Sequence, residues 1–402
     1  MTAGHAPGTA LALALSALPA QQSTGEAGAP PSGIPRLSSR SPRPERDEVA
    51  AALARAVTYL REAQNGDGSW GGVRNMTYTD HWPNVEAHRS WTVATTGLAV
   101  MALLRQGGDD DGARAAVARG VAHLVAHHDL RRCDDWDIDH VWGLLYGLQG
   151  LSHALAHPAH AQAAERPARV AAATRMVERI ADCQSPNGGW AYYADPIAAW
   201  RPEWATSFTT AAMIEALCDA REVGIGIEPR RLEAALRAVA RCRLPGGAFT
   251  YDVMALTEPG SLESINDVRG SLARIQVCHL ALRRGTRPPD QAELARGLDL
   301  FFRHHIYLDC ARMRPIPHEA YHANAGYFYL FGHFYAGELL PALAPAARRD
   351  AAGRLAFEVM KTQERSGASW DYWMSEYTRS YGTAFAAMAL GRALEALEPP
   401  RS

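Results

Sequence analysis

The stretch Gln64-Asn65-Gly66-Asp67-Gly68-Ser69-Trp70 specifies the architecture, because its order of glutamine, glycine turn and aromatic residue returns further along the chain. Gln184, Gly188 and Trp190 keep the same spacing. Such stretches recur about every 60 residues, and a fixed period is typical of arrays of stacked helical units. Six units result, and the residues at the glutamine position are Gln64, His128, Gln184, Arg243, His305 and Gln363.

Each unit contains two kinds of helical segment. Glu48 to Ala63 carries apolar residues on one stripe and charged residues elsewhere, which is the pattern of an outer helix packed on one side. The segment after each turn is apolar on nearly every face, as expected for a buried inner helix. These inner segments are Trp91–Leu104, Val141–Leu151, Phe208–Leu217, Leu272–Leu282, Tyr327–Leu340 and Thr383–Leu394.

Six inner and six outer helices that alternate along the chain close most simply into a ring. An open array would need polar capping repeats at both ends, and the sequence has none. The sequence therefore predicts an all-α fold, an α6/α6 toroid of six helix-pair repeats over residues 48–398.

The turn residues indicate how neighbouring repeats are joined. Gly68 and its counterparts permit a positive φ at the end of a helix. The amide of Gln64 is expected to bond to the neighbouring repeat, with Trp70 stacked over it. Each turn is thus predicted to hold two repeats together.

This pattern resembles the QW repeat of the squalene-hopene and oxidosqualene cyclases, which is similar to the repeats of protein prenyltransferase β-subunits. In the first repeat it consists of Arg55-Ala56, Leu60, Gln64, Gly68 and Trp70. The resemblance covers nearly all of residues 48–398 and implies the fold of the prenyltransferase and squalene oxidase repeat proteins. It does not fix an activity, because toroids of this kind also occur as complement-type thioester domains.

Composition limits the classes of function. With 402 residues and 47% hydrophobic content the chain can bury a large core, and the uninterrupted repeat favours one domain. A net charge of −2 argues against a strongly basic surface, so nucleic acid is not an expected partner. After residue 47 no uncharged apolar run is long enough to span a membrane, although peripheral membrane contact stays open.

The first 47 residues differ from the rest. Ala10 to Ala20 is a short apolar run that ends in small residues, which suits a signal peptide over residues 1–20 and a secreted or periplasmic location. The preceding residues lack Lys and Arg, so a mis-assigned start or a disordered tail is the alternative. Residues 21–47 are rich in Pro, Ser, Gly and Ala and are predicted to be a disordered linker.

An acidic cluster precedes the second inner helix. Asp134-Asp135-Trp136-Asp137-Ile138-Asp139-His140 contains four carboxylates. Negative charges so near one another raise the pKa of at least one of these carboxyls. A carboxyl kept neutral in an apolar cavity can act as a general acid. Residues 137–140 also resemble the Asp-x-Asp-Asp motif of hopene-type cyclases, which implies Asp139 as proton donor, with Asp137 and His140 tuning it. The alternative is that these carboxylates cap the helix.

A second pattern repeats where other inner helices begin. An acid, an arginine and a serine recur in residues 86–90, 267–271 and 376–380. Arg89, Arg269 and Arg379 could therefore line one mouth of the ring and bind an anionic head group. In the alternative, each arginine pairs with a local carboxylate and contributes little.

Aromatic residues are dense in the inner segments, where π faces could stabilise a carbocation or could simply pack together. Trp91, Trp142, Tyr146 and Phe208 are the aromatic ligand-binding candidates, and His322 joins them because Tyr321-His322 resembles the zinc-histidine region of protein prenyltransferases. The remaining aromatic residues of these segments are Tyr327, Phe328, Tyr329, Phe331, Phe334 and Phe385.

One region of the sequence is rich in possible metal ligands. The Asp-x-Cys pair that supplies two zinc ligands in prenyltransferases has no counterpart, since residues 266–269 read Asn-Asp-Val-Arg. We therefore expect no metal and no cofactor. The possible ligands are His304, His305, Asp309, Cys310, His318 and His322.

These observations favour an exported, single-toroid terpenoid cyclase-like protein with an apolar cavity for an isoprenoid or lipid-like ligand. If it is an enzyme, acid-initiated cyclisation or isomerisation is expected, although hopene-type cyclases have two toroids. One alternative is a non-enzymatic scaffold that binds a partner or an anionic ligand at the arginine-lined mouth. Another is a carbohydrate-active enzyme, which would pair Asp139 with Glu203 or Glu376.

Overall fold

The computed structural model describes residues 43–74, 84–133, 139–161, 164–194, 205–253, 264–372 and 375–398, and these ranges fold as helices without extended strands. Outer and inner helices alternate, and two short helices, α5 and α11, are added. The outer helices are α1 Arg46–Glu62, α3 Asp111–Ala126, α6 Arg166–Cys183, α8 Pro229–Arg241, α10 Gln291–Arg303 and α13 Pro345–Met360. The inner helices are α2 Val85–Gln106, α4 His140–Ala156, α7 Ser207–Glu222, α9 Leu272–Leu282, α12 Phe328–Leu339 and α14 Ser375–Leu397, and the short ones are α5 Pro158–Ala161 and α11 Ile306–Ala311.

Burial separates the two kinds of helix as their sequences predict. The outer helix α1 buries a single stripe, from Val49 to Leu60, whereas α2 is buried on every face from Ser90 to Leu103. Each inner helix packs against the inner helices before and after it in the chain, and α14 packs against α2. The predicted α6/α6 toroid is therefore confirmed.

A polar contact joins each repeat to the outer helix of the next. In the first, Gln64 Nε2 donates to the Ala116 carbonyl of α3 (2.8 Å), and Gln64 Oε1 accepts from Arg119 Nε (3.0 Å). The indole N–H of Trp70 donates to the Leu60 carbonyl at the end of α1 (2.7 Å), so it satisfies a helix-end group of its own repeat. We call these the junction contacts; in chain order they are Gln64–Arg119, Asp129–Arg179, Gln184–Arg231, Arg243–Glu293, His305–Glu358 and Gln363–Arg55.

The last junction contact closes the ring. Gln363 Nε2 donates to the Ala52 carbonyl of α1 (2.8 Å), and Gln363 Oε1 accepts from Arg55 Nη2 (2.7 Å). The two partners are more than 300 residues apart in the chain but make the same contact as Gln64 and Arg119. The sixth repeat therefore docks on the first as the first docks on the second.

The turn glycines make this docking possible. Gly68 and Gly367 have φ values of +85° and +90°. A Cβ atom would lie 2.6 Å from the Arg119 carbonyl oxygen at Gly68, and 2.3 Å from that of Arg55 at Gly367. Only glycine satisfies both the backbone conformation and the close approach.

Several predictions fall on residues that the structure does not describe. The signal peptide and most of the linker lie within residues 1–42, outside the described ranges, and α1 begins at Arg46, inside the predicted linker. Cys218, Cys242 and Cys278 are free thiols buried among apolar side chains. Of the described helices, none is both long and apolar enough to cross a membrane.

Candidate functional site

A cavity of about 530 Å³ lies inside the ring of inner helices, within the size range of small-molecule sites. It is bounded by the N-terminal halves of α2, α4, α7, α12 and α14 and by segments that precede inner helices. Four predicted ligand-binding residues lie in its wall: Trp91, Trp142, Tyr146 and Phe208. Its other aromatic lining residues are Tyr192, Tyr193, Tyr251, His318, Tyr327, Phe331, Tyr372, Tyr377, Tyr381 and Phe385.

Trp142 organises one wall of the cavity. Its ring stacks on Tyr146 with centroids 5.9 Å apart and planes 9° apart, and it lies 6.0 Å from Phe208. Phe331 meets Trp142 edge-on at 6.2 Å. Such pairs hold the rings in fixed orientations, and the lining leaves open space at the centre.

Asp139 is positioned at this cavity by an unusual backbone. It stands immediately before α4 with φ +70° and ψ +6°, in the left-handed region, and its side chain makes no capping hydrogen bond to the helix. Capping therefore does not account for this carboxylate. Asp139 lines the cavity, and it is the only acidic residue in the described lining.

Phenol hydroxyls and one histidine lie close to Asp139. Burial is the main cause that raises the pKa of Tyr251 and of Tyr327, and the charge of Asp139 adds to both shifts. Tyr327 Oη donates to His318 Nε2 (2.9 Å), because His318 Nδ1 donates to the Ala323 carbonyl (2.7 Å). Burial lowers the pKa of His318, so this ring is neutral at physiological pH. The mouth thus offers a carboxyl beside hydroxyl donors.

His140 is buried behind Asp139. Its Nε2 lies 3.7 Å from Cys183 Sγ, and its Nδ1 has no hydrogen-bond partner. Burial, helped by the nearby charge of Arg132, lowers the pKa of His140 to about 3. His140 is therefore a neutral neighbour of Asp139. An aspartate at position 140 would instead place a second negative charge beside Asp139.

The three candidate arginines lie outside the described cavity lining. Arg89 pairs with Glu86 (3.3 Å), and Arg379 pairs with Glu364 (3.3 Å). Arg269 lies over a tyrosine ring, 5.8 Å from its centroid. Their role in binding an anionic head group stays a prediction.

Other candidates are also placed away from the described lining or outside the described residues. His322 meets Tyr307 edge-on (4.7 Å) and does not contribute to the described cavity wall. Asp137 and Glu203 are outside the described ranges. Glu376 is not among the described lining residues, so no second carboxylate is seen opposite Asp139 where a glycosidase would need one.

Charged side chains close the ring at the opposite end from Asp139. A separate polar cavity of about 250 Å³ lies there, and Tyr146 and Tyr335, whose hydroxyls are 3.5 Å apart, separate it from the aromatic cavity. Arg105 donates to Glu338 (2.8 Å) in this region. The other charged or amide residues that line it are Gln149, Glu215, Asp219, Arg283, Arg284 and Arg392.

Sequence reasoning missed a group of cavity residues that follow the repeat itself. Tyr192, Tyr251 and Tyr372 each stand two positions after the aromatic residue of their turn, and all three line the cavity. That offset was visible in the sequence and could have identified them. No comparable signal marks His318, which reaches the cavity from an irregular segment.

Part of this sequence is similar to cyclases. Residues 43–144 match the model of the squalene-hopene cyclase C-terminal domain. A squalene hopane cyclase of Aspergillus fumigatus is 34% identical over 87 residues, which is 20% of this chain and 10% of that protein. The stretch that the domain model matches includes the turn Gln64–Trp70 and ends just after Asp139.

Solved structures agree on the fold. The type II terpene cyclase MstE from Scytonema has a TM-score of 0.51 at 17% identity, covering 88% of this chain and all of that one. A variant of it has been determined with geranylgeranyl dihydroxybenzoate, its substrate. The α-1,6-mannanase GH76A of Salegentibacter has a TM-score of 0.54 at 12% identity, with 87% of this chain and 100% of that chain covered. At these identities the likeness concerns the fold alone.

Proposed function

The chain resembles the terpenoid cyclase-like superfamily in its repeat and its fold, and on that premise we propose that it is a single-toroid enzyme that cyclises or isomerises an isoprenoid. The substrate would lie in the aromatic cavity, and Asp139 would protonate one of its double bonds. One observation carries this proposal. Asp139 is the one acidic residue in the described lining, it does not cap its helix, and the rest of the wall is mostly aromatic.

The surroundings of Asp139 suit a proton donor. Asp139 borders a wall of mostly aromatic faces, and a carboxyl in such a site can act as a general acid. His140, buried behind it, is neutral. The hydroxyls of Tyr251 and Tyr327 lie near enough to feel its charge and could reload the proton from the mouth.

The rest of the wall suits the cation that protonation would create. Proton transfer to an alkene carbon leaves a carbocation on its neighbour, the next double bond attacks to close a ring, and a proton leaves at the end. The product is an isomer of the substrate. The faces of Trp142, Phe208 and Phe331 surround the cavity centre and could stabilise the cation by cation–π attraction.

The polarity of the wall favours an isoprenoid over a sugar. A polar ligand would need several hydrogen-bonding or charged groups that converge on it, and the described wall offers mainly aromatic faces with hydroxyls at one end. Geranylgeranyl dihydroxybenzoate, the substrate of MstE, is a reasonable first probe because it joins a polyprenyl chain to a polar head.

The test is turnover by the purified full chain of geranylgeraniol and of geranylgeranyl dihydroxybenzoate, with mass spectrometry for a product of unchanged mass and altered retention. Asp139→Asn should reduce the rate roughly 10²–10⁴-fold, the usual contribution of a general acid. Asparagine tolerates left-handed φ, so the backbone should be retained. Quenching of the intrinsic tryptophan fluorescence, to which Trp91 and Trp142 of the wall contribute, should show that the variant still binds the probe.

Asp110→Asn is the matched control, because Asp110 stands before the outer helix α3 and caps it through Gly112 N (2.7 Å), far from the described cavity lining. This variant should turn over normally. Equal rates for wild type and Asp139→Asn would contradict the assignment of the acid. Absence of both binding and product would instead favour the scaffold.

A further inference from the structure

One junction contact differs in chemistry from the others. Where Gln64, Gln184 and Gln363 present an amide to an arginine of the next repeat, the fifth repeat presents His305 to Glu358 of α13. His305 Nδ1 lies 3.2 Å from Glu358 Oε2 and 3.1 Å from Asp309 Oδ2. An imidazole facing two carboxylates thus replaces an amide facing a guanidinium.

A second histidine fixes the orientation of His305. His333 is fully buried, and its Nδ1 donates to the Tyr329 carbonyl (2.7 Å), which leaves Nε2 as the acceptor of that ring. His305 Nε2 lies 3.0 Å from His333 Nε2 and must therefore donate to it. This arrangement directs Nδ1 of His305 toward the carboxylates, as an outer partner does for a metal-bound histidine.

The spacing of the three donor atoms fits a metal ion. His305 Nδ1, a carboxylate oxygen of Asp309 and one of Glu358 all lie within 4.8 Å of one another. Metal–ligand bonds of about 2.0–2.2 Å place neighbouring tetrahedral ligands roughly 3.3–3.6 Å apart, close to the 3.1 and 3.2 Å that separate His305 Nδ1 from the two carboxylates. One imidazole with two carboxylates suits a divalent first-row ion such as Zn²⁺.

Glu358 gives an independent sign that this site accommodates a cation. It is only 7% exposed, and its Oε2, the atom nearest His305, is buried and already lies against the Lys361 ammonium. A buried carboxylate oxygen in this state is costly unless a cation compensates it. Lys361 Nζ lies against Glu358 and 3.2 Å from Asp309 Oδ1, but its side chain is 36% exposed on a flexible stem.

We propose that His305, Asp309 and Glu358 form a binding site for one divalent transition-metal ion of the Zn²⁺ class, and that Lys361 is a cover that swings aside. The ion would join α11 to α13, and through His333 also to α12, so it would tie the fifth repeat to the sixth. None of the three ligands is in the described lining of the aromatic cavity, so this site is separate from the one proposed for substrate. Its role is structural.

The test is calorimetric titration of the full chain, stripped with a chelator, with Zn²⁺ and separately with Mg²⁺. Wild type should bind one equivalent of Zn²⁺ tightly and should unfold at a higher temperature when Zn²⁺ is bound. It should show no binding of Mg²⁺. His305→Gln, which installs the amide found at three of the other junctions, should lose that equivalent. Lys361→Met should bind Zn²⁺ at least roughly tenfold more tightly, because a competing positive charge is removed.

Asp309→Asn is the second ligand variant, for use if His305→Gln does not fold, because Asp309 is 31% exposed and tolerates change more readily. It should also lose the equivalent. An unchanged Zn²⁺ isotherm in the ligand variants would contradict the proposal, since binding would then lie elsewhere. Binding by Lys361→Met but not by wild type would also contradict it, because Lys361 would then be the permanent cation of the cluster.

Discussion

Asp371 illustrates how a single buried carboxyl can shape the cavity without lining it. Its Oδ1 accepts from Tyr381 Oη (3.0 Å), and its Oδ2 accepts from the Leu330 N–H (2.7 Å). Tyr381 lines the cavity, so Asp371 positions a wall residue. Burial outweighs these hydrogen bonds and raises the pKa of Asp371 to about 7.

A pH dependence of stability follows. Since the pKa of Asp371 rises from 3.8 to about 7 on folding, the native state holds one more proton than the unfolded state between those pH values. This carboxyl therefore makes the protein less stable as pH rises through the window, by about 1.4 kcal/mol per pH unit. Asp371→Asn should remove that slope, because asparagine carries no charge. Its amide oxygen can accept from the Leu330 N–H, and its amide N–H can donate to Tyr381 Oη.

Urea unfolding at pH 5, 6 and 7 checks this expectation. The unfolding free energy of Asp371→Asn should gain on that of wild type at each step upward in pH. A difference between the two proteins that does not change with pH would show that Asp371 is ionised throughout.

Among individual residues, the sequence identified those whose chemistry the repeat or a motif makes visible. Asp139 and Trp142 were found because one begins an inner helix in an acidic motif and the other belongs to an apolar segment. Asp371 was not found, and His318 was named only as a possible metal ligand and not as a cavity residue, because burial by distant elements gives both their properties and single positions carry no sign of it.

The turn between the two helices of a repeat is the element that the sequence specifies most fully. Its glycine, glutamine and aromatic residue each make a contact that their chemistry anticipates. The glutamine contact recurs at Gly188 and Gly367, and the indole contact recurs at Trp190 but not at Trp370, which donates to Glu364. The fifth junction was harder to foresee. Histidine at position 305 marked it as different, but Glu358 is 53 residues further on and reaches it only through helix packing.

Two glycines of the first turn provide a direct test of this element. Gly68→Ala should lower the unfolding free energy by about 2–4 kcal/mol, because alanine would be strained at φ +85° and its Cβ would lie 2.6 Å from a backbone oxygen of the next repeat. Gly66→Ala, in the same turn but with no atom within 4 Å of the added Cβ, should change it by less than about 0.5 kcal/mol. Equal effects in urea unfolding would mean that the repeats do not dock through this turn.

The whole molecule is a ring with two unlike ends. At one end, Asp139 and tyrosine hydroxyls border an aromatic cavity, and at the other arginines and carboxylates line a polar cavity. The ring itself was predictable from six repeats, because a helix pair that buries its inner face must meet a neighbour on both sides. The polar cavity at the other end was not predictable, since its residues are scattered over the ends of several inner helices.

This asymmetry leads to one expectation for the intact protein. A substrate that lies in the cavity should receive its proton at the Asp139 end and lose a different proton later, so the product formed in D₂O should contain one solvent deuterium and be one mass unit heavier than its isomer formed in H₂O. Mass spectrometry of the product from geranylgeranyl dihydroxybenzoate measures this. One deuterium per product, formed by wild type and not by Asp139→Asn, is the result we predict, and a product without solvent deuterium would contradict protonation by Asp139.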